Sequence, residues 1–549
     1  MNILAVIPAR GGSKGIPRKN VRLMCKKPLI SYAIQNARSC PLVTDTVVTT
    51  DDAEILTVAG MYGAQTIRRE PTLAQDDVTL DPVIYDAVLR MEEQNHCHYE
   101  IVITLQPTSP LLKSTTLQQA LAAFLADTSD TCISVVNRAH LSWKKDGQRF
   151  IPNYEKRLNR QQLPADYMET GAFFITKRKF VTQNSRLGDA ITVYEIPERE
   201  AVDIDTADDW IVCEHALSRK RIVFRADGYK ERGMGHIYHC LTLALRMTGH
   251  EITFVTMKSH REGYEKLKQS HLPVYGIEQE ADFYRFLETY HADLVIHDCL
   301  NTTKEQILRL KQLAARVVTI EDLGEGALYA DAVINALYHT QAPRPNQYTG
   351  ADYVCIRDEF LIRKPKPFSE QVTNVLVMFG GTDPSNLTRK IYDLAETLHR
   401  KKPEMELHFI LGCGYDADDH QIVSKPEKNI YIHQDVCNVA DYMQQADLAF
   451  TSQGRTVFEL AVMGVPAIVL AQNEREQLHT FAQMENGFLN LGLGTHVSTC
   501  TLLSTFWWLV DTPQIRKEMR TLMLKHQLDQ STDRVLDVIL NDYRQENNR

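Results

Sequence analysis

The chain has 549 residues, more than one hydrophobic core normally supports, since domains run to roughly 100–200 residues. Its composition, 44% hydrophobic and 24% charged, is that of an ordinary globular protein, and a formal net charge of −9 gives no electrostatic reason to bind nucleic acid. Eleven cysteines without a CxxC pair, the lack of a signal-peptide-like apolar core and the lack of a membrane-length apolar run lead us to expect reduced thiols, no membrane partner and a cytoplasmic chain.

In chain order, residues 2–7 form a short apolar run ending in Pro8, and similar runs recur at DTVVTT, EIVITL and TCISVV with helix-length amphipathic segments between them. That rhythm predicts a mostly parallel sheet covered by helices. HCH at residues 96–98 lacks partners at zinc spacing and reads as a loop. The rhythm closes on DTADDWIVCEHALSRK, a helix capped by Thr206 with Asp209 three positions on. It restarts at Arg221 with RIVFRAD, EITFVTM, DLVIHD and RVVTIED. A Pro- and Lys-rich stretch, IRKPKPFSE, follows, and then NVLVMFGG, ELHFILG, NIYIHQ, LAFTS and PAIVLA. We therefore expect an α/β protein with domains at 1–219 and 221–549, the latter in halves of about 221–366 and 372–549 with a cleft between them.

The first strand runs into IPARGGSKGIPRKN, where Gly11, Gly12 and Gly15 lie among Arg10, Lys14, Arg18 and Lys19. Small residues let backbone N–H groups approach phosphate oxygens, and the cations neutralise them. No GK[ST] follows and GxGxxG is absent, which excludes a Walker loop and a dinucleotide fingerprint. A basic surface loop with turn glycines is the competing reading.

This loop resembles the first signature of the CMP-sialic acid synthetases, a cytidylyltransferase family. LQPTSP (105–110), RQQLP (160–164) and DIDTADDW (203–210) fit its later signatures in order. The resemblance covers about residues 1–219. It implies a Rossmann-like nucleotidyltransferase domain, commonly dimeric, that uses CTP and Mg²⁺ to activate a nonulosonic acid. Carried over residue by residue, Arg10, Lys14 and Lys19 hold phosphates, Asn20, Arg69 and Thr79 line the cytidine side, and Gln106 and Arg160 face the acidic sugar, whose carboxylate suits a guanidinium. Asp203 and Asp205, read as two apart on a strand, present both carboxylates to one Mg²⁺. The chain has ETGAFFI where the family often shows NG, so Thr170 bears on the choice of sugar.

A second glycine loop, RADGYKERGMGHIYHC, follows the strand RIVF. Gly233 and Gly235 bring backbone close to a ligand, and His236 sits at a helix start, where the dipole disfavours imidazolium. A turn or cap histidine is the plain alternative. Further on, FGGTDPSN carries Gly380 and Gly381 between strand and helix, and SQGRTVFEL places Gly454, Arg455 and Thr456 at a helix start with Glu459 one turn in, a set suited to a diphosphate and ribose.

In this order the segments resemble the UDP-sugar hydrolases of pseudaminic acid synthesis, from Arg221 to the C-terminus. That resemblance implies a two-half glycosyltransferase-B architecture, with His236 activating water at the anomeric carbon, UDP leaving and no metal required. His239 stands where the family commonly has Arg or Lys. Together the two resemblances imply a bifunctional enzyme whose steps flank a separate phosphoenolpyruvate-condensing synthase. A glycosyltransferase, or a non-catalytic nucleotide-sugar-binding module that regulates the first domain, remain alternatives for the second region.

Overall fold

The computed structural model describes residues 1–540 apart from 13, 14, 76, 230–232, 341, 413, 419, 420 and 437, so Lys14 lies outside the described residues. The chain divides into two compact units, Met1–Arg219 and Lys220–Arg549.

The first unit is built on a seven-stranded sheet. Counting Ile3–Pro8, Asp45–Thr50, Gln65–Arg68, Ile101–Leu105, Thr131–Asn137, Tyr167–Lys177 and Ile191–Glu195 as first to seventh, the spatial order is 7-5-6-4-1-2-3. Every pairing is parallel except those of the sixth strand, which runs antiparallel to both neighbours. Ile3–Pro8 is buried along its length because both faces are covered. Ile3, Ala5 and Ile7 enter one apolar cluster, Leu4 and Val6 another.

The helix Ala207–Leu217 starts with the expected capping box: the Thr206 hydroxyl accepts from Asp209 N–H, and the Asp209 carboxylate accepts from Thr206 N–H. The same carboxylate accepts from Asp205 N–H. Asp203 and Asp205 therefore lie in the connection between the turn Glu198–Glu200 and this helix, not on a strand as the sequence suggests. Residues 96–98 form a loop, with His98 Nδ1 3.0 Å from Glu92.

The second unit holds two all-parallel sheets. The first, from Arg221–Ala226, Glu251–Met257, Val274–Ile277, Leu294–Asp298, Arg316–Ile320, Ala332–Asn335 and Gln347–Thr349, has the order 3-2-1-4-5-6-7. The second, from Asn374–Met378, Glu406–Leu411, Ile430–Gln434, Leu448–Ser452, Ala467–Ala471 and Phe488–Leu493, has the order 3-2-1-4-5-6. In both, the order reverses between the first and fourth strands, and at such a reversal the loops beyond the carboxyl ends diverge and leave a crevice. The final helix, Ser531–Leu540, falls in the second half by sequence, but it packs on the first. Val535 and Ile539 join the cluster of Ile222, Phe224 and Ile296, and Arg316 donates to the Val538 carbonyl (2.9 Å). Among the described residues no helix is long and apolar enough to cross a membrane.

Candidate functional site

In the first unit, the parallel strands ending at Pro8, Thr50, Arg68 and Leu105 deliver Arg10, Asp51, Arg69 and Gln106 to one edge of the sheet. Gly11 N–H donates to Asp51 Oδ1 (3.1 Å), which holds the basic loop against the second strand. A β-carbon on Gly15 would lie 2.6 Å from the Asp205 carbonyl oxygen, so only glycine lets the loop pack on the aspartate-bearing connection. Lys19 Nζ donates to the Ile204 carbonyl (2.6 Å) and sits 3.9 Å from the Asp205 carboxylate. Asn20 is buried and donates to the Arg10 carbonyl (3.0 Å). The structure thus gathers Arg10, Gly15, Lys19, Asn20 and Asp205.

Arg69 is buried, donates through Nη2 to the Thr49 carbonyl (2.8 Å), and leaves Nε without a partner among the described residues. Burial lowers its pKa, opposed by the nearby Asp51 carboxylate. Gln106 sits against Gly171, whose β-carbon would approach the Gln106 amide nitrogen to 3.3 Å. Thr170 does not face that site: it is buried and its hydroxyl donates to Ser134 Oγ (2.8 Å) within the sheet. Arg160 is exposed and pairs with Glu198 at 3.4 Å, and Thr79 is an exposed residue at the N-cap position of Leu80–Gln94 whose side chain makes no capping hydrogen bond.

Asp203 is the part-buried member of the acidic pair. Burial raises its pKa, Asp205 adds to the rise, and Oδ1 has no hydrogen-bond partner among the described residues. Two carboxylates with an unmet oxygen fit a hard divalent cation such as Mg²⁺.

The second unit has a cleft of about 660 Å³ lined by both halves. Gly233, Gly235, His236 and His239 enter it from beyond Arg221–Ala226, Gly380 and Gly381 from beyond Asn374–Met378, and Gly454, Arg455, Thr456 and Glu459 from the start of the helix Thr456–Met463. Gly380 has φ +85°, a left-handed value that glycine adopts without strain. Every residue singled out from the second unit's motifs lines this one cleft.

Three side chains not anticipated from the sequence bear on it: Glu321 and Arg357 line it, and Asp298 lies buried behind His236. Asp298, fully buried at the end of the fourth strand, accepts from His236 Nδ1–H (2.6 Å), from His239 Nδ1–H (3.3 Å) and from the Cys240 thiol (3.4 Å). Burial alone would raise the Asp298 pKa, but the histidines hold it well below the usual carboxylate range. It is therefore a carboxylate, and the proton of the short bond belongs to His236 Nδ1. Burial pushes the His239 pKa down to about 4, so that ring is neutral.

Glu321, from just beyond the fifth strand, pairs with Arg455 at 2.9 Å, and Arg357 pairs with Glu459 at 2.9 Å. The ribose-binding role read for Glu459 thus belongs to a carboxylate that a guanidinium already holds. Asp298 and Glu321 end buried apolar runs, and an acid at such an end was the available signal.

A family model described as Cytidylyltransferase matches residues 4–223, and one described as Glycosyltransferase family 28 C-terminal domain matches residues 375–488. The chain is 32% identical over 217 residues to a Campylobacter jejuni protein named Pseudaminic acid cytidylyltransferase (38% of this chain, 93% of that protein). It is 29% identical over 279 residues to an uncharacterized protein of Methanocaldococcus jannaschii (47% of this chain), of which it spans only 57%. It is 28% identical over 295 residues to the spore coat polysaccharide biosynthesis protein SpsG of Bacillus subtilis (51% of this chain, 85% of that protein). Among solved structures, a CMP-2-keto-3-deoxy-manno-octonic acid synthetase complexed with CTP matches at 17% identity and TM-score 0.30 (40% of this chain, 99% of that one). Acinetobacter baumannii MurG matches at 18% and 0.43 (58% and 99%).

Proposed function

Because the chain belongs, through residues 4–223, to the cytidylyltransferase family, we propose that its first unit transfers CMP from CTP to a nonulosonic acid and releases pyrophosphate. The name of the Campylobacter jejuni relative supports that substrate class. The observation that carries the reading is that Gly15 and Lys19 of the basic loop pack on the connection bearing Asp203 and Asp205, while Asn20 ties the Arg10 backbone to the same loop.

In this reading Arg10 and Lys19 hold phosphate oxygens, with Lys19 aimed by the Ile204 carbonyl. Asn20, Arg69 and Thr79 bind the cytidine side, and Gln106 and Arg160 take the sugar and its carboxylate. Asp203 and Asp205 hold Mg²⁺, which when bound neutralises the α-phosphate and lowers the pKa of the attacking hydroxyl. The sugar's anomeric oxygen bonds to the α-phosphorus as its proton passes to solvent, and the bond from that phosphorus to pyrophosphate breaks in line. Given CTP, Mg²⁺ and a panel of nonulosonic acids, the full chain should release pyrophosphate with at least one of them. No release with any refutes the assignment.

For the second unit we infer hydrolysis of a UDP-linked diacetamido-trideoxyhexose to UDP and free sugar, carried by His236 at the cleft wall and the buried Asp298 behind it. Nε2 of His236 accepts a proton from water, the water oxygen bonds to the anomeric carbon, and the bond from that carbon to the UDP oxygen breaks. Asp298 holds the ring in the tautomer that leaves Nε2 free and supports the imidazolium that forms. Arg455 and Thr456 lie at a helix start suited to the diphosphate.

A second reading, transfer of the sugar to an acceptor hydroxyl, is favoured by the family 28 match over residues 375–488. UDP release without any acceptor supports hydrolysis, release only with acceptor supports transfer, and UDP binding without turnover supports a regulatory module. With both activities in a cytoplasmic chain, dimeric through its first unit, the product of one unit reaches the other through a phosphoenolpyruvate-condensing synthase.

A further inference from the structure

His239 and Cys240 have no role in the proton transfer just described, yet both converge on its carboxylate. We propose that His239, Cys240 and Asp298 form a binding site for a thiophilic divalent cation, Zn²⁺, whose occupancy silences His236. Among the described residues these three make the one group of His, Cys, Asp or Glu ligand atoms that all lie within 4.8 Å of one another, and all three are buried.

The spacing fits the ion. Tetrahedral zinc, with bonds of about 2.0–2.2 Å to nitrogen and oxygen and about 2.3 Å to sulfur, sets its ligands about 3.3–3.6 Å apart. Asp298 Oδ2 already lies 3.3 Å from His239 Nδ1 and 3.4 Å from Cys240 Sγ. One thiolate, one imidazole and one carboxylate form a mixed set that zinc accepts and that Mg²⁺, an oxygen-seeking ion, does not. His239 also lines the cleft, so the group lies just behind its wall.

Protons balance without any further group. The ion displaces the Cys240 thiol proton to solvent. His239 moves its own proton from Nδ1 to Nε2, where Cys355 Sγ, 3.0 Å away, is placed to accept it. A ligating histidine needs such a partner on its other nitrogen. The filled group then carries no net charge, where the empty one carries the carboxylate's negative charge. The imidazolium that must form at His236 loses its counter-charge. This consequence rests on the hydrolytic or transfer reading of His236, but the binding site does not.

The test loads the full chain with Co²⁺ as a spectroscopic substitute for zinc. We expect one equivalent to bind with a sulfur-to-cobalt charge-transfer band, absent in Cys240→Ser and retained in Cys355→Ser. X-ray absorption of the zinc-loaded wild-type protein, which needs no variant to fold, should show a single sulfur among nitrogen and oxygen ligands. No sulfur ligand, two sulfurs, or a band that survives Cys240→Ser overturns the site. Zn²⁺ should also lower UDP release by at least about tenfold, the smaller part of what a positioned base contributes, and a chelator should restore it. Undiminished release with the sulfur-ligated metal bound overturns the silencing, and a wild-type chain that never releases UDP refutes the reading of His236 while leaving the spectroscopic result to stand.

Discussion

Replacing Asp298 with asparagine keeps the shape of the buried side chain and removes only its charge. At an effective dielectric of about 20, two unit charges about 4 Å apart interact by roughly 4 kcal/mol. The His236–Asp298 contact, 2.6 Å between heavy atoms with Asp298 fully buried, is within that range once His236 takes a proton. The amide oxygen still accepts from Nδ1, so part of the support survives. We expect Asp298→Asn to lower kcat for UDP release by about 10²–10³-fold, each factor of ten being 1.36 kcal/mol. Because Asp298 touches no substrate, KM should change by less than about threefold. His236→Ala alone should lose about 10²–10⁴-fold. The double variant should be no slower than His236→Ala within about threefold, since a carboxylate without its histidine has nothing to support. Initial rates of UDP release over a substrate series, with and without acceptor, measure all three, and the melting temperature checks the fold. If Asp298→Asn keeps at least half the rate, or the two losses multiply, the pairing has no catalytic meaning.

Gly15→Ala should cut CMP transfer at least tenfold and leave UDP release unchanged, because its β-carbon would meet a backbone oxygen at 2.6 Å and a shift of about 1 Å in a catalytic loop costs on the order of 10² in rate; full transfer would mean the loop does not pack on Asp205. Asp203→Asn should lower pyrophosphate release by about 10²-fold or more even at saturating Mg²⁺, and recovery at high Mg²⁺ would show that Asp203 only tunes affinity. Burial raises the Glu476 pKa from 4.5 to about 7. The folded chain therefore keeps that proton up to about pH 7 whereas the unfolded chain releases it near 4.5, so stability falls as pH rises through this window, by at most about 3 kcal/mol for a carboxyl that opens to the cleft. Glu476→Gln should flatten the dependence of melting temperature on pH between 4.5 and 7, and an unchanged slope would contradict the shift.

The parallel strands were legible because a strand covered on both faces is a near-continuous apolar run, and nine of the thirteen in the second unit stand out in this way, or nearly so. The strand Tyr167–Lys177 was harder: Gly171, at φ +71°, and a register shift between Glu169 and Phe174 break its alternation. DIDTADDW misled for a local reason. The alternation of Asp203, Ile204 and Asp205 looks like a strand, but the Asp209 carboxylate takes the N–H groups of Asp205 and Thr206 for the helix cap. Glycines, cations and His236 could be read from their spacing. Asp298 could not, since its meaning depends on the fourth strand lying beside the first, a tertiary fact that places residue 298 against residue 236.

The two glycine loops follow the first strand of their sheets, but the cations gathered near them are held differently. In the first unit Lys19 donates to a backbone carbonyl and pairs at 3.9 Å with the Asp205 carboxylate, which is itself exposed. In the second, Arg455 and Arg357 are each tied to a buried or part-buried acid, Glu321 and Glu459. Such pairing lets a low-dielectric cleft hold cations without a bound anion, since an uncompensated guanidinium there would carry a desolvation penalty of several kcal/mol. The compensation is incomplete: Arg455 Nη1 is buried with no hydrogen-bond partner among the described residues. A buried donor left in that state costs about 1–3 kcal/mol, and a diphosphate oxygen arriving at the helix start removes that cost without breaking the ion pair with Glu321. The second unit's cleft thus holds a buried donor in reserve, whereas the first unit gathers Arg10 and Lys19 beside a carboxylate pair that suits a divalent ion.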